Sequence, residues 1–155
     1  MTNRSFIDEN EAARLQLSEL IVRLDERSFA CPVGSGWTIS TSLCHLSFWD
    51  QRALFLLREW ERNGQIETSR LSGQSVDSIN QAVNAVSQVV AGSAAAKLAL
   101  KSASAVDSYL AAIGDEFIDS LVSAGFERYL RRSLHRLELL QKMKEALDRQ
   151  AAGTA

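Results

Sequence analysis

Residues 36–50 read GWTISTSLCHLSFWD. Thr38 can accept a hydrogen bond from a free amide at the start of a helix. Beyond it, apolar side chains recur at three- and four-residue steps, which predicts a helix that continues to about Arg62. The segment before it, CPVGSG at 31–36, interrupts the helical pattern and holds the only proline of the chain. The sequence therefore predicts a loop followed by a long amphipathic helix.

Similar spacing recurs along the rest of the chain, so the fold class predicted from the sequence is all-α, a four-helix bundle without β-sheet. The predicted helices are 6–27, 38–62, one that begins near Ser75, 94–113, a short one at 115–121, and 126–150. A break or kink is expected near Gly92, a loop at 65–74, and a frayed tail at 151–155. Residues 1–155 are predicted to form a single domain.

Composition narrows the classes of function. The 17 basic and 19 acidic residues give a net charge of −2 and are spread along the chain, which argues against a nucleic-acid partner. No apolar run reaches the roughly 20 residues that cross a bilayer, so no membrane span is expected. Cys31 and Cys44 form no CxxC motif and no leader pattern opens the chain, which favours a cytoplasmic protein.

The helical spacing also predicts which side chains face inward. The predicted inner positions are Ser42, His45, Leu46, Trp49, Ala53, Leu56, Leu57 and Trp60 in the 38–62 helix, Val76, Ile79, Val83, Val86 and Val90 in the third, Leu98, Val106, Tyr109 and Ile113 in the fourth, and Leu130, Leu134, Leu137, Leu140, Met143 and Leu147 in the last. Trp49 is expected to be mostly buried, so Trp49→Ala should cost about 3–5 kcal/mol. Asp50 and Arg52 flank the stripe and are interpreted as a salt-bridged surface. The wide arc of the last helix predicts a homodimer through Tyr129, Leu140, Met143 and Leu147.

The GWT…His45 segment, followed by Phe48-Trp49-Asp50, resembles the second-helix signature of the DinB-like superfamily, which includes the mycothiol-dependent maleylpyruvate isomerases. A second similarity is RSLHRLEL at 132–139, on the last predicted helix. The resemblance covers nearly the whole chain in length and helix order. It implies an up-down-down-up four-helix bundle, and in many members a divalent metal held by three histidines.

By this resemblance, His45 matches the first metal ligand and His135 the first residue of an HxxxH pair. The second residue of that pair is Leu139, which has no lone pair to offer a metal. Glu138 or Gln141 could supply the missing ligand, since Glu138 lies three residues from His135. The expected site therefore holds no metal or binds zinc, nickel or manganese weakly, beside a pocket that includes Trp49 and Leu139.

Two functions remain open from the sequence. In one, the bundle has a degenerate metal site and binds a small molecule or a partner protein. In the other, it is a divalent-metal-dependent thiol transferase or isomerase that uses His45 and His135. A structural reading of the same residues is also open: His45 as a buried, hydrogen-bonded imidazole, and His135 as a half-exposed one at the edge of the leucine arc. The three tryptophans are explained first as core and loop anchors.

Overall fold

A computed structural model describes residues 2–67 and 70–153 of the chain. Within these residues the protein forms eight helices and one two-stranded antiparallel sheet. In chain order the elements are α1 Phe6–Ile21, α2 Glu26–Phe29, β1 Pro32–Gly34, β2 Trp37–Thr38, α3 Ile39–Asn63, α4 Gly73–Ser87, α5 Gly92–Ala112, α6 Asp115–Ser123, α7 Glu127–Leu130 and α8 Arg132–Ala152. The predicted loop at 65–74 and tail at 151–155 include residues 68, 69, 154 and 155, which lie outside the described residues. The mostly helical character is confirmed.

Helix α3 begins and ends where the sequence predicts. Thr38 Oγ1 accepts a hydrogen bond from the Thr41 amide at 3.2 Å, and Thr41 Oγ1 accepts one from the Thr38 amide at 2.9 Å. This reciprocal pair satisfies two amides that a helix start leaves open. At the other end Gly64 has φ 64°, the left-handed conformation that closes a helix. These two caps fix the length of the helix that carries His45.

The expectation of no β-sheet is wrong at one place. Pro32 pairs with Thr38 and Gly34 with Trp37 in a short antiparallel ladder. The turn between them has positive φ at three successive residues, Gly34, Ser35 and Gly36. Two of the three are glycines, for which this conformation carries little steric cost. The glycines therefore allow the chain to reverse as a hairpin, whereas the sequence predicted only a loop here.

The first predicted helix, 6–27, is two helices. α1 ends at Ile21, and Asp25 starts α2 by accepting a hydrogen bond from the Ser28 amide at 2.8 Å. An aspartate at a helix start satisfies an amide and interacts favourably with the helix dipole. The apolar spacing continues across this junction, so periodicity alone did not reveal the break.

The last predicted helix, 126–150, is also divided. Arg131, with φ −93° and ψ 69°, separates α7 from α8. The buried side chain of Asn10 spans the break: its Nδ2 donates to the Leu130 carbonyl at 2.8 Å, and its Oδ1 accepts from the Ser133 amide at 2.8 Å. One side-chain amide from α1 thus satisfies a backbone carbonyl and a backbone amide at the break.

The long helices pack against one another around two apolar clusters. α1 contacts α5 and α8, and α3 contacts α4, α5 and α8. The predicted break near Gly92 separates α4 from α5. A Cβ added to Gly92 would lie 2.2 Å from Cγ of Phe29, so this residue must be glycine for the two segments to pack so closely.

Several side chains predicted to face inward are exposed. They are Val86 on α4, Leu98 on α5, and Leu134 and Leu137 on α8. α4 packs mainly on α3 and buries only Val83 and Ser87, so its outer valines meet solvent. On α8, Arg132 and Arg136 are buried, which the apolar pattern did not predict. Leu134 and Leu137 therefore lie on the exposed side of that helix.

The residues predicted to form a homodimer interface pack largely against other parts of the same chain. Leu140 and Met143 are buried in the core, and Tyr129 and Leu147 are half-buried. The homodimer therefore stays a prediction without this support. Among the described residues, no helix is both long and apolar enough to cross a membrane.

Candidate functional site

The two histidines of the chain meet between α3 and α8. His45 Nε2 and His135 Nε2 lie 3.0 Å apart, and the ring centroids are separated by 5.0 Å. His45 is on the second turn of α3 and His135 is on the first turn of α8, so both positions are set by the helix starts described above. The distance is that of a hydrogen bond in which one ring donates and the other accepts.

Both imidazoles are neutral at pH 7. Burial, and then the positive charge of Lys142, lowers the pKa of His45 to about 4, although Glu138 opposes this shift. Burial, and then the positive charge of Arg132, lowers the pKa of His135 to about 3. A neutral imidazole can donate through one nitrogen and accept through the other, which the contact between the two rings requires.

The lowered pKa values predict a loss of stability in mild acid. In the unfolded chain the imidazoles take up protons below about pH 6.5, whereas in the folded chain they remain neutral. The unfolded state then binds more protons, so the free energy of unfolding falls as the pH falls. We expect a decrease that approaches about 1.4 kcal/mol per pH unit for each imidazole as the pH falls well below 6.5, measured by urea unfolding between pH 6.5 and 5.

His135→Gln is the matched control for this pH dependence, because it removes one titrating ring and retains a polar side chain. The slope over the same interval should fall to about half that of the unaltered protein. A free energy of unfolding that stays constant from pH 7 to 5 in the unaltered protein would show that the rings are not held neutral.

The histidine pair borders a cavity of about 1060 Å³. Its aromatic walls are Trp37, Trp49, Trp60, Phe126 and Tyr129. Trp37 meets the His45 ring edge-on, with centroids 5.2 Å apart. The ring centroids of Trp49 and His45 are 6.3 Å apart. A cavity of this volume with several aromatic side chains in its walls is of a size that can bind small organic molecules.

Trp49 is mostly buried, as the sequence predicted, and its Nε1 donates a hydrogen bond to Asn80 Oδ1 on α4 at 2.9 Å. Trp60 is 7% exposed and packs with Phe126 and Tyr129. Trp49 also forms a wall of the cavity, and the loss predicted for Trp49→Ala stays a prediction.

Leu139 and Glu138 both line the cavity beside His135. Glu138 Oε1 accepts a hydrogen bond from Lys142 Nζ at 2.9 Å, and this bond lowers the pKa of Glu138. Its carboxylate is thus engaged along the surface of α8. Within residues 2–67 and 70–153, no three histidine, cysteine, aspartate or glutamate side chains are grouped so that they could hold a metal ion.

The other predicted ligand, Gln141, lies away from the cavity, and so does Cys44. Gln141 is exposed, and its Nε2 donates to Glu145 Oε1 at 2.8 Å. Cys44 is half-buried against the apolar core, and burial raises the pKa of its thiol. A thiol with a raised pKa is poorly suited to act as a thiolate ligand.

A buried ionic network behind the cavity was missed by the sequence analysis. Asp50, interpreted there as a surface residue, is only 1% exposed. Its Oδ1 accepts from Arg132 Nε at 2.9 Å, and its Oδ2 accepts from Arg136 Nη2 at 3.1 Å. The completely buried Arg136 also donates to both carboxylate oxygens of Asp107, at 2.8 and 2.9 Å. These contacts fix the first two turns of α8, where His135 lies, against α3 and α5.

The spacing of the buried residues could have revealed this network. The buried stripe of α3 includes Ile39, Leu43, Leu46, Asp50, Ala53, Leu57 and Trp60. Asp50 occupies a regular position of that stripe at the three- and four-residue steps of a helix. An acidic residue at such a position needs a buried partner of opposite charge. Arg132 and Arg136, four residues apart on another helix, fit that requirement.

No family model, no curated protein and no solved structure matches this chain.

Proposed function

We propose that the chain is a DinB-like four-helix bundle whose cavity binds a small organic molecule. The observation that carries this proposal is the cavity of about 1060 Å³, with its aromatic walls and the neutral His45–His135 pair. The lining combines these aromatic side chains with several polar and charged ones, and such polar groups can orient a ligand in a small-molecule site. A partner protein would instead need a broad exposed surface.

The helix contacts support the bundle architecture. α1 contacts α8, α8 contacts α3, α3 contacts α5, and α5 contacts α1. This closed cycle of four long helices is what a four-helix bundle requires. The chain between α3 and α5 includes α4, and a connection of that length suits the parallel central helices of an up-down-down-up bundle.

A second candidate, a divalent-metal-dependent thiol transferase or isomerase, is favoured by the distance between the imidazoles. Two nitrogens that bind one ion at about 2.0–2.1 Å must lie within roughly 4.2 Å of each other. His45 Nε2 and His135 Nε2 satisfy this limit. The third position is Leu139, however, and Glu138 is engaged by Lys142. The donor set is incomplete, so we assign no reaction step to a metal.

The cavity proposal is tested by filling the cavity. We expect Leu139→Trp to weaken the binding of the neutral fluorescent probe N-phenylnaphthylamine by about 10-fold or more, because the larger ring occupies the site. Energy transfer from the cavity tryptophans to the probe gives the readout. Leu137→Trp is the matched control: it lies on the same helix, is 41% exposed and does not line the cavity, so binding should be unchanged. Equal binding by both variants would contradict the proposal.

The metal candidate is tested on protein without a histidine tag. After incubation with zinc, nickel or manganese, we expect less than stoichiometric metal, since two imidazoles form a weak site. One bound ion per chain that is lost in His45→Ala would favour the transferase or isomerase over a metal-free binding protein.

A further inference from the structure

Arg132 presents unused hydrogen-bond donors at the cavity. Its side chain is 9% exposed, and its Nε donates to Asp50 Oδ1 at 2.9 Å. The residue lines the cavity. Within the described parts of the chain, no hydrogen bond engages its Nη1 or Nη2 groups. A guanidinium held on one edge and free on the other is a preorganised site for a carboxylate.

The charge around the cavity is opposite to that of the chain. The whole sequence has a net charge of −2, whereas the cavity lining has five cationic and three acidic side chains. The cationic side chains are Arg52, Arg70, Arg128, Arg132 and Lys142, and the acidic ones are Glu67, Asp77 and Glu138. The excess of positive charge favours an anionic ligand.

The positive charge is concentrated near His135. After burial, the charges of Arg132 and Arg128 contribute to the lowered pKa of that histidine. Arg128 is exposed and makes no hydrogen bond or ion pair within residues 2–67 and 70–153. An anion beside Arg132 would thus meet a second guanidinium at the cavity edge, whose charge Glu138 offsets in part.

The opposite wall suits a flat apolar group. Trp37 and Trp49 flank His45, with centroids 5.2 and 6.3 Å from its ring. Arg52 lies over the Trp49 ring, 5.5 Å from its centroid, and donates to Tyr129 Oη at 3.2 Å, which restrains this wall. Aromatic side chains bind planar groups by stacking or edge-on contacts.

We propose that the ligand of this cavity is an aromatic carboxylic acid, with its carboxylate on the Nη edge of Arg132 and its ring against Trp37 and Trp49. This inference rests on the proposed small-molecule function and specifies its ligand class. Arg132 is the specificity-determining residue, because it supplies donors that a carboxylate can accept and a neutral amide group cannot use equally well.

The test compares acids with their neutral amides on the unaltered protein. Phenylacetate and indoleacetate, and the corresponding phenylacetamide and indoleacetamide, are titrated by calorimetry. We expect the acids to bind about 10- to 100-fold more tightly than the amides. Added potassium chloride should weaken the binding of the acids and leave that of the amides nearly unchanged. This comparison needs no variant, so it is independent of any effect on folding.

Arg132→Gln then identifies the residue. It should bring the affinity for each acid down to that for the corresponding amide. The control is Arg62→Gln, an exposed arginine paired with Glu59 outside the cavity lining, which should change neither.

Failure of this inference is distinguishable from failure of the cavity proposal. Equal affinities for acids and amides would overturn the carboxylate assignment and leave small-molecule binding intact. If neither the acids nor the amides bind but N-phenylnaphthylamine binds normally, the carboxylate assignment is likewise overturned and small-molecule binding is left intact. If the neutral probe also fails to bind, both the small-molecule function and the carboxylate assignment are wrong.

Discussion

Replacing Arg136 with methionine is expected to lower the free energy of unfolding by about 3–5 kcal/mol. Arg136 is completely buried and joins Asp50 to Asp107. Burial by itself lowers the pKa of this guanidinium, but the two carboxylates raise it above its usual value, so it remains charged. Its removal leaves both carboxylates with less compensating charge in the protein interior, and that cost is the main part of the expected loss.

Urea unfolding followed by circular dichroism measures this effect. Arg62→Met is the matched control, because Arg62 forms an exposed ion pair with Glu59 that should contribute less than about 1 kcal/mol. Adding Asp107→Asn to the Arg136→Met variant should recover part of the loss, since it neutralises one of the uncompensated carboxylates. A loss below about 1 kcal/mol for Arg136→Met would mean that the buried network does not hold α8 in place.

The local signals in the sequence were sufficient for α3. Thr38 is a strong marker of a helix start and acts as the sequence predicts, and Gly64 closes the helix close to its predicted end at about Arg62. The apolar spacing did not predict the break between α7 and α8, where a side chain from another helix replaces helical hydrogen bonds. Asn10 bridges the break at Arg131 from a helix that lies more than 100 residues earlier in the chain. Such a long-range partner leaves no trace in the sequence around the break.

In the candidate site, too, some features were predicted from the sequence and others were not. The proximity of His45 and His135 was expected from the family resemblance and not from the helical pattern, which left His135 at the border of the apolar arc. Asp50 was assigned to the surface because the predicted inner stripe ran through Trp49 and left Asp50 at its flank. The structure buries it at 1% exposure, since Arg132 and Arg136 arrive from α8 to neutralise it. The buried stripe of α3 runs through Asp50, between Leu46 and Ala53, so the predicted stripe was displaced by one residue at this point.

Leu139→His is expected to raise the affinity for zinc or nickel by about 100-fold or more. Leu139 lies one turn beyond His135 on α8 and lines the same cavity as His45. A third imidazole at this position would complete a three-histidine set and leave a further position open for water or a ligand. Because the pKa values of His45 and His135 are about 4 and 3, a metal need not displace a proton from these rings at pH 7.

Calorimetry and thermal unfolding with added zinc or nickel measure this gain. A metal that binds only the folded state stabilises it by about 2.7 kcal/mol at 100 times its Kd, so the midpoint of thermal unfolding should rise with metal concentration. Leu137→His is the matched control, because it adds a histidine to the same helix at a position that is 41% exposed and outside the cavity lining. It should bind metal no better than the unaltered protein.

The outcomes of the Leu139→His experiment separate the two proposed functions. Strong binding in this variant alone supports a scaffold that retains the geometry of a metal site but lacks the third ligand, and leaves the cavity for organic molecules. Equal, weak binding in both histidine variants would show that α3 and α8 do not hold His45 and His135 close enough to share an ion. Tight binding by the unaltered protein would mean that Glu138 or solvent completes the site already, because Leu139 itself has no lone pair to offer. The metal-dependent transferase or isomerase would then become the better proposal.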